Sequence, residues 1–183
     1  MPWEFYDKYE TDDARLETII RYYTDTDGNE VDYRTVDHPK AVGASPMKYS
    51  EDPDHMGPRQ GSDFVMLRYA DVILSRAEAL NELNGPTQEC IDLINKVRER
   101  ANASLIAVAD YNKESLRDFL LDERGRELYC EGHRRPDLIR FGKFIEVAQA
   151  AGINAKPHQV LFPIPQSALN ENPNLVQNSG YEN

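Results

Sequence analysis

Histidine and cysteine are scarce in this chain, and that scarcity removes whole classes of chemistry. The four histidines, His38, His55, His133 and His158, are scattered and build no HExxH or comparable metal-ligand spacing. The two cysteines, Cys90 and Cys130, carry no CxxC spacing; both fall in helical patterns and are expected to be free, buried thiols. Neither a G-x-S-x-G nucleophile turn nor a GxxxxGK[ST] phosphate loop occurs. No run of eighteen apolar residues is present, so no helix is long and apolar enough to cross a membrane. Positive charge is also short. Lys and Arg number 21 against 32 Asp and Glu, a net charge of −11, which argues against a phosphate backbone as partner.

What is present divides into an acidic front and a balanced rear. Residues 1–63 hold 15 acids against 7 bases, and residues 64–183 hold 17 against 14. In the front part, "LETIIRYYTDTDGNEVDYRTV" has two β-rich runs, Ile19 to Thr24 and Glu30 to Val36, around Asp27-Gly28, which predicts a hairpin. The alternation Asp25, Asp27, Asn29 resembles a calcium loop, but the glycine stands too early for one, so the turn reading is preferred. Residues 37–63 hold four prolines and three glycines and are expected to be a long irregular loop.

From Phe64 the spacing becomes helical. "FVMLRYADVILSRAEALNELNG" places Ala70, Ile73, Leu74, Ala77, Leu80 and Leu83 on one stripe and stops at Gly85-Pro86. "TQECIDLINKVRERA" follows with Cys90, Leu93, Ile94, Val97 and Ala101 on its apolar face. Together they make a helix-turn-helix of about 33 residues, the length of one tetratricopeptide-type repeat. The first helix has apolar or small residues nearly all round, so one partner helix does not cover it. A third helix is expected from about Glu114 to Cys130, ended by Gly132, and Pro136 opens a further one that is interrupted near Gly142. The tail from His158 is rich in Pro and Asn. It is expected to wrap the surface, anchored by Leu161, Phe162, Ile164, Leu169 and Leu175.

The densest charge lies in "ERGRELYCEGHRRPDLIRFGK". Glu123, Glu127 and Glu131 follow one another at single-turn spacing, which suits paired carboxylates in acid–base catalysis. Arginines interleave with them, and a guanidinium close by keeps a carboxylate ionised where a glycosidase acid must be protonated. A structural clasp at the joint of two helices is therefore preferred over a catalytic pair, with no metal or cofactor.

Four segments in order, "LRYADVILSRAEALNE", "CIDLINKVRERA", the charged stretch above and "LFPIPQSALNENPNLVQNSGY", resemble the C-terminal region of the SusD/RagB family. These are glycan- and nutrient-binding surface lipoproteins of Bacteroidota outer membranes. "EFYDKYETDDARLETII", with Asp13 and Arg15, and "MKYS" match further family segments. By resemblance Glu123, Arg124, Glu127, Glu131, Gly132, Arg134, Asp137 and Arg140 are recurring positions, here read as the clasp. Gly125 departs from the pattern by putting a glycine inside a helix, which costs that helix about 1 kcal/mol relative to Ala, and Pro136 and Phe141 depart in local packing.

The resemblance implies a mainly α fold, tetratricopeptide-like, with a short hairpin and long ordered loops. It divides into a hairpin and loop part (1–63), a helical part (64–150) and a wrapping tail (151–183). It also implies non-catalytic capture of an oligosaccharide or other nutrient for a SusC-like TonB-dependent transporter at the cell outer membrane. "MPWEFYDKYE" has neither the charged nor the apolar region of a signal peptide. The lipobox and N-terminal repeats that the resemblance implies are not in this sequence, which is expected to be a C-terminal fragment or a truncated reading frame. Trp3, Tyr6 and Tyr9 are the candidate stacking residues for sugar, against the alternative that they are core residues. The competing reading of the whole chain is a tetratricopeptide-type scaffold for protein partners, without sugar binding.

Overall fold

The computed structural model describes residues 1–37, 41–49, 52–57 and 61–182. It is mainly α-helical, with two small two-stranded sheets among the described residues. The chain forms two compact units, Met1–Arg134 and Arg135–Asn183, a division that falls inside the stretch read from sequence as one helical part.

The first unit is built on three helices whose termini are written locally. α1 is a short N-terminal turn, Trp3–Tyr6. α2 (Tyr69–Asn84) follows an extended Arg68 and stops at Gly85, whose φ of 75° is the left-handed region that glycine enters without strain. The expected start at Phe64 is not helical: residues 64–68 are irregular. α3 (Gln88–Arg100) begins at Thr87, whose hydroxyl accepts from Cys90 N at 3.2 Å. α4 (Lys113–Glu127) begins with a reciprocal cap, in which Asn112 Oδ1 accepts from Ser115 N and Ser115 Oγ accepts from Asn112 N, both at 2.9 Å.

The three helices share one core: Ile73, Leu74 and Ala77 of α2, Cys90, Ile91, Ile94 and Val97 of α3, and Leu116 and Leu120 of α4. Asn81, fully buried on α2, ties in the start of α4 by donating to Lys113 O at 2.9 Å. The Cys90 thiol donates to Ala77 O, and burial pushes its pKa up to about 11, so it behaves as an inert apolar group. Leu83, expected on the buried stripe, is instead 79% exposed. With Tyr69, Val72 and Ala79 it forms an uncovered stripe down the far side of α2.

The acidic front is more broken than its spacing predicts. β1 (Ile19–Ile20) does not enter the hairpin; it pairs antiparallel with β4 (Ser45–Pro46), inside the region expected to be a plain loop. Burial explains the split. Ile19 belongs to a second small core with Tyr9, Ala44 and Tyr129, and the chain bends at Arg21 before it becomes exposed. The hairpin proper is β2 (Tyr22–Thr24) against β3 (Glu30–Asp32). Its turn is closed by Asp25, whose carboxylate accepts from the Asp27 and Asn29 amides at 2.9 and 2.8 Å, with Gly28 at φ 85°. The expected Cys130 end of α4 is also corrected. The helix stops at Glu127, and Cys130 is exposed in the left-handed region at φ 60°.

The helix expected after Pro136 is two short ones, α5 (Arg134–Arg140) and α6 (Phe144–Ala150), parted at Gly142 with φ 72°. A 3₁₀ turn (Pro157–Val160) and α7 (Gln166–Glu171) follow. Of the expected apolar anchors, Leu161, Phe162 and Leu175 are exposed. The tail is tied instead by polar side chains to backbone. Gln177 bonds both Ile164 N and Ile164 O, at 2.8 and 2.9 Å, Asn178 donates to Phe162 O, and Tyr181 OH donates to Leu161 O. Arg135 caps the Phe162 ring at 4.0 Å.

Gly180 lets the last of these ties form. It has φ 88°, and a Cβ there would stand 2.4 Å from the His158 ring, which Tyr181 contacts edge-on at 4.7 Å. Gly180→Ala is expected to undock Tyr181 at a cost of about 1–3 kcal/mol. Limited proteolysis should then trim the tail of the variant well before that of the wild type.

Candidate functional site

Glu123, Glu127 and Glu131 occupy the last turn of α4 and the bend beyond it, and all three are buried. Carboxylates out of water need their hydrogen bonds supplied. Glu123 Oε1 accepts from Arg15 Nη1 at 2.8 Å, and Oε2 accepts from Arg98 Nη1 and Arg126 Nη2, both at 2.7 Å. Glu127 Oε1 accepts from Arg68 Nη1 at 2.9 Å and Oε2 from Arg100 Nη2 at 2.6 Å. Glu131 takes Arg68 Nε at 2.8 Å and pairs with Lys48. Asp13 holds Arg15 in place, bonding its Nε at 2.8 Å and its Nη2 at 2.7 Å. The result is one chain of alternating charge from Asp13 to Lys48.

The same cations finish the helix. The free carbonyl of Glu127 at the C-terminus of α4 accepts from Lys48 Nζ at 2.6 Å and from Arg68 Nη2 at 2.9 Å. Burial pushes the Glu123 carboxyl upward, but the charges of Arg126, Arg15 and Arg98 outweigh it and hold the pKa at about 2. Burial opposes ionisation of Glu131 too, and its bonds to Arg68 and Lys48 hold its pKa below the usual range. A cleft of about 210 Å³ opens beside the network, lined by Arg15, Lys48, Arg68, Arg100 and Tyr129 among others.

The other residues read as the clasp are distributed differently. Arg124 bridges helices, with Nη2 2.8 Å from Asp71 and Nη1 donating to Ser75 Oγ at 3.0 Å on α2. Arg134 donates to Leu121 O at 2.7 Å, lies 3.6 Å from Asp122 and covers the Phe5 ring at 4.6 Å, and its side chain is 31% exposed. Gly132 takes the left-handed turn at φ 81°. Asp137 and Arg140 belong to the second unit, where Arg140 Nη2 meets Asp137 at 2.9 Å. Gly125, which reads as a weak point of the helix, is a point of close approach. A Cβ there would lie 2.5 Å from Phe5 and 2.8 Å from Arg134.

The aromatic candidates do not stand alike. Tyr9 is buried at 8% exposure, with its OH donating to Arg126 O at 3.0 Å and the Arg15 guanidinium 5.7 Å from its ring. As a stacking surface it is corrected: packing and that bond commit it to the core. Trp3 and Tyr6 are half-buried, in edge contact at 5.6 Å. Trp3 donates to Ala41 O, and Arg34 covers its ring at 5.2 Å. Arg34 in turn forks onto Asp7 at 2.7 Å through both terminal nitrogens. Tyr22 and Tyr23 on the hairpin are more exposed than these three, at 52% and 42%. Strand spacing marked the run but not its exposure.

The SusD family model matches residues 2–181. A SusD-like protein P38 of Formosa agariphila is 38% identical over 128 residues, 66% of this chain and 25% of that one. The starch-binding protein SusD of Bacteroides thetaiotaomicron is 34% identical over 129 residues, 66% of this chain and 22% of that one. A crystal structure of a SusD homolog from Bacteroides thetaiotaomicron overlays with a TM-score of 0.76 at 28% identity, covering 98% of this chain and 43% of that one. Bacteroides fragilis NanU overlays at 0.69 with 25% identity, covering 98% and 38%. The chain thus spans about a quarter of the length of these curated relatives.

The network makes two energetic expectations. Arg15→Ala takes the buried Asp13 carboxylate's cation away and leaves Glu123 Oε1 without its arginine, and should cost about 3–5 kcal/mol, whereas the partly exposed Arg134→Ala should cost far less. Because the folded Glu123 pKa lies below its ordinary 4.5, its stabilisation is complete above that pH and is lost as pH falls toward about 2. Chemical denaturation from pH 7 to pH 2.5 should therefore show stability dropping below about pH 4.5 in the wild type. The drop should be shallower in Glu123→Gln.

Proposed function

The chain belongs to the SusD family, and on that premise we propose that it serves non-catalytic capture of an oligosaccharide or other nutrient at an outer-membrane surface. In this reading it hands the ligand to a TonB-dependent transporter. The observation that carries the non-catalytic part is the state of the carboxylates. Glu123, Glu127 and Glu131 each meet two or more cations, and Glu123 and Glu131, kept ionised by theirs, have no proton to give a glycosidic oxygen. The network instead serves as a rigid frame, in which Glu123 and Glu131 hold the end of α4 and the bend beyond it to the front part of the chain through Arg15 and Lys48. Ligand contact falls to the aromatic side chains outside that frame, Trp3 and Tyr6 among them, since an apolar face with a few placed polar groups is how such sites work. The starch-binding relative supports the capture of an oligosaccharide.

A scaffold for protein partners is the second reading, and the uncovered stripe of Tyr69, Val72, Ala79 and Leu83 on α2 favours it. One experiment separates the readings. The purified chain is run through native gels containing neutral or acidic polysaccharides, and the same mixtures are assayed for new reducing ends. Retardation by at least one polysaccharide without any release of reducing ends is expected, unchanged in Glu127→Gln variants that remain folded. Free migration through every gel would remove the capture reading, and release of reducing ends abolished by Glu127→Gln would make the chain a hydrolase.

A further inference from the structure

The hairpin carries the most exposed tyrosine rings of the front part, and nothing assigned so far uses them. All three residues of β2 are exposed, including both tyrosines, whereas a strand lying on a core would turn one of them inward. Tyr23 meets the Tyr33 ring edge-on at 6.1 Å. Tyr22 has the Arg21 guanidinium 4.9 Å from its ring centre, and Arg21 is itself locked onto Asp32, with Nη2 2.6 Å from the carboxylate. Tyr33 also lines a cleft of about 330 Å³ with Pro2, Val42 and Ala44. That size admits one or two sugar rings.

The arrangement is held before any ligand arrives. Asp25 closes the turn by accepting from two backbone amides, and Asp25 N donates back to Asn29 O at 2.9 Å. Arg34, next to Tyr33, is forked onto Asp7, which ties the hairpin to α1. A ring fixed in this way loses little entropy when a ligand stacks on it.

Charge narrows the ligand. Four carboxylates, Asp25, Asp27, Glu30 and Asp32, stand on the hairpin and its turn, while Arg21 and Arg34 each bind a carboxylate through more than one nitrogen. Arg21 holds the Asp32 carboxyl below its usual pKa, and the Asn29 amide does the same for Asp25, so both are ionised at neutral pH. A sulfate or uronate would meet net negative potential here.

Resting on the capture reading above, we propose that the β2–β3 hairpin is a stacking platform for an uncharged oligosaccharide. Tyr23, with Tyr33 and the cleft that Tyr33 lines, makes one face of it, and Tyr22, on the opposite side of the strand beside Arg21 and Asp32, makes the other. Pyranose rings present apolar faces that match tyrosine, and the Asp32–Arg21 pair lies at hand for hydroxyls.

The test uses the whole chain in affinity gels with starch, xylan, laminarin or galactomannan as neutral probes and polygalacturonate or carrageenan as acidic ones. Thermal unfolding checks that each variant is folded, as expected for substitutions at exposed positions. Binding to at least one neutral probe, stronger than to either acidic one, is expected. It should weaken about tenfold or more in Tyr22→Ala/Tyr23→Ala and persist in Tyr22→Phe/Tyr23→Phe. If the alanine variant binds a neutral probe as well as the wild type, the platform is elsewhere and this inference falls while the capture reading stands. Preference for an acidic probe would overturn the charge argument. Failure of the wild type to bind any probe would overturn the inference together with the reading it rests on.

Discussion

A carboxylate moved out of water either finds its hydrogen bonds inside the protein or gives up its charge, and Glu123 has no solvent exposure at all. Everything around it follows from that constraint. Three guanidinium groups must converge on one side chain, and each is delivered by a different element: Arg15 by the turn after Asp13, Arg98 by α3 and Arg126 by α4 itself. Glu127 and Glu131 repeat the demand one turn at a time and recruit Arg68, Arg100 and Lys48. Arginine suits the task because its planar fork satisfies two acceptors at once, as Arg68 does between Glu127 and Glu131. Such a network adds little net stability over an apolar core, but it tolerates no missing member, so it fixes one arrangement of the segments that feed it.

The sequence was most legible where structure is local. The spacing of Ile73, Leu74 and Ala77 marks α2, and Gly85-Pro86 ends it, because both signals act within a turn or two of the chain. The single-turn spacing of Glu123, Glu127 and Glu131 marked one side of the network. Its partners were largely hidden. Lys48 and Arg68 sit in irregular backbone, 79 and 59 residues from the Glu127 carbonyl they bond, and no periodicity announces them. Arg126 left a trace because it stands three residues from Glu123 in the same charged stretch, and Asp13 and Arg15 were marked by the family resemblance.

Aromatic residues were harder still, since composition says that a ring wants burial or a ligand without saying which. Tyr9 and Tyr22 look alike in sequence. One finds a carbonyl acceptor in Arg126 and disappears into a core; the other lies on a two-stranded ribbon whose rings remain largely exposed. Gly125 was misread for the complementary reason. Propensity counts what a glycine costs its own helix, whereas the missing Cβ here makes room for Phe5 and Arg134 from other parts of the chain.

The span of these contacts also orders events in time. Arg15 and Glu123 are 108 residues apart, and Tyr9 reaches Arg126 across 117. Closing so long a loop costs on the order of 4 kcal/mol in chain entropy before any ion pair repays it. The contacts of α2 with α3 and α4 close much shorter loops and can form while the front of the chain is still searching. During synthesis Asp13 and Arg15 leave the ribosome before α4 does, so Arg15 can bond Asp13 early but meets Glu123 only once α4 has emerged. The acidic front, rich in charge that keeps an unpartnered segment soluble, is therefore locked to α4 after the three helices have packed.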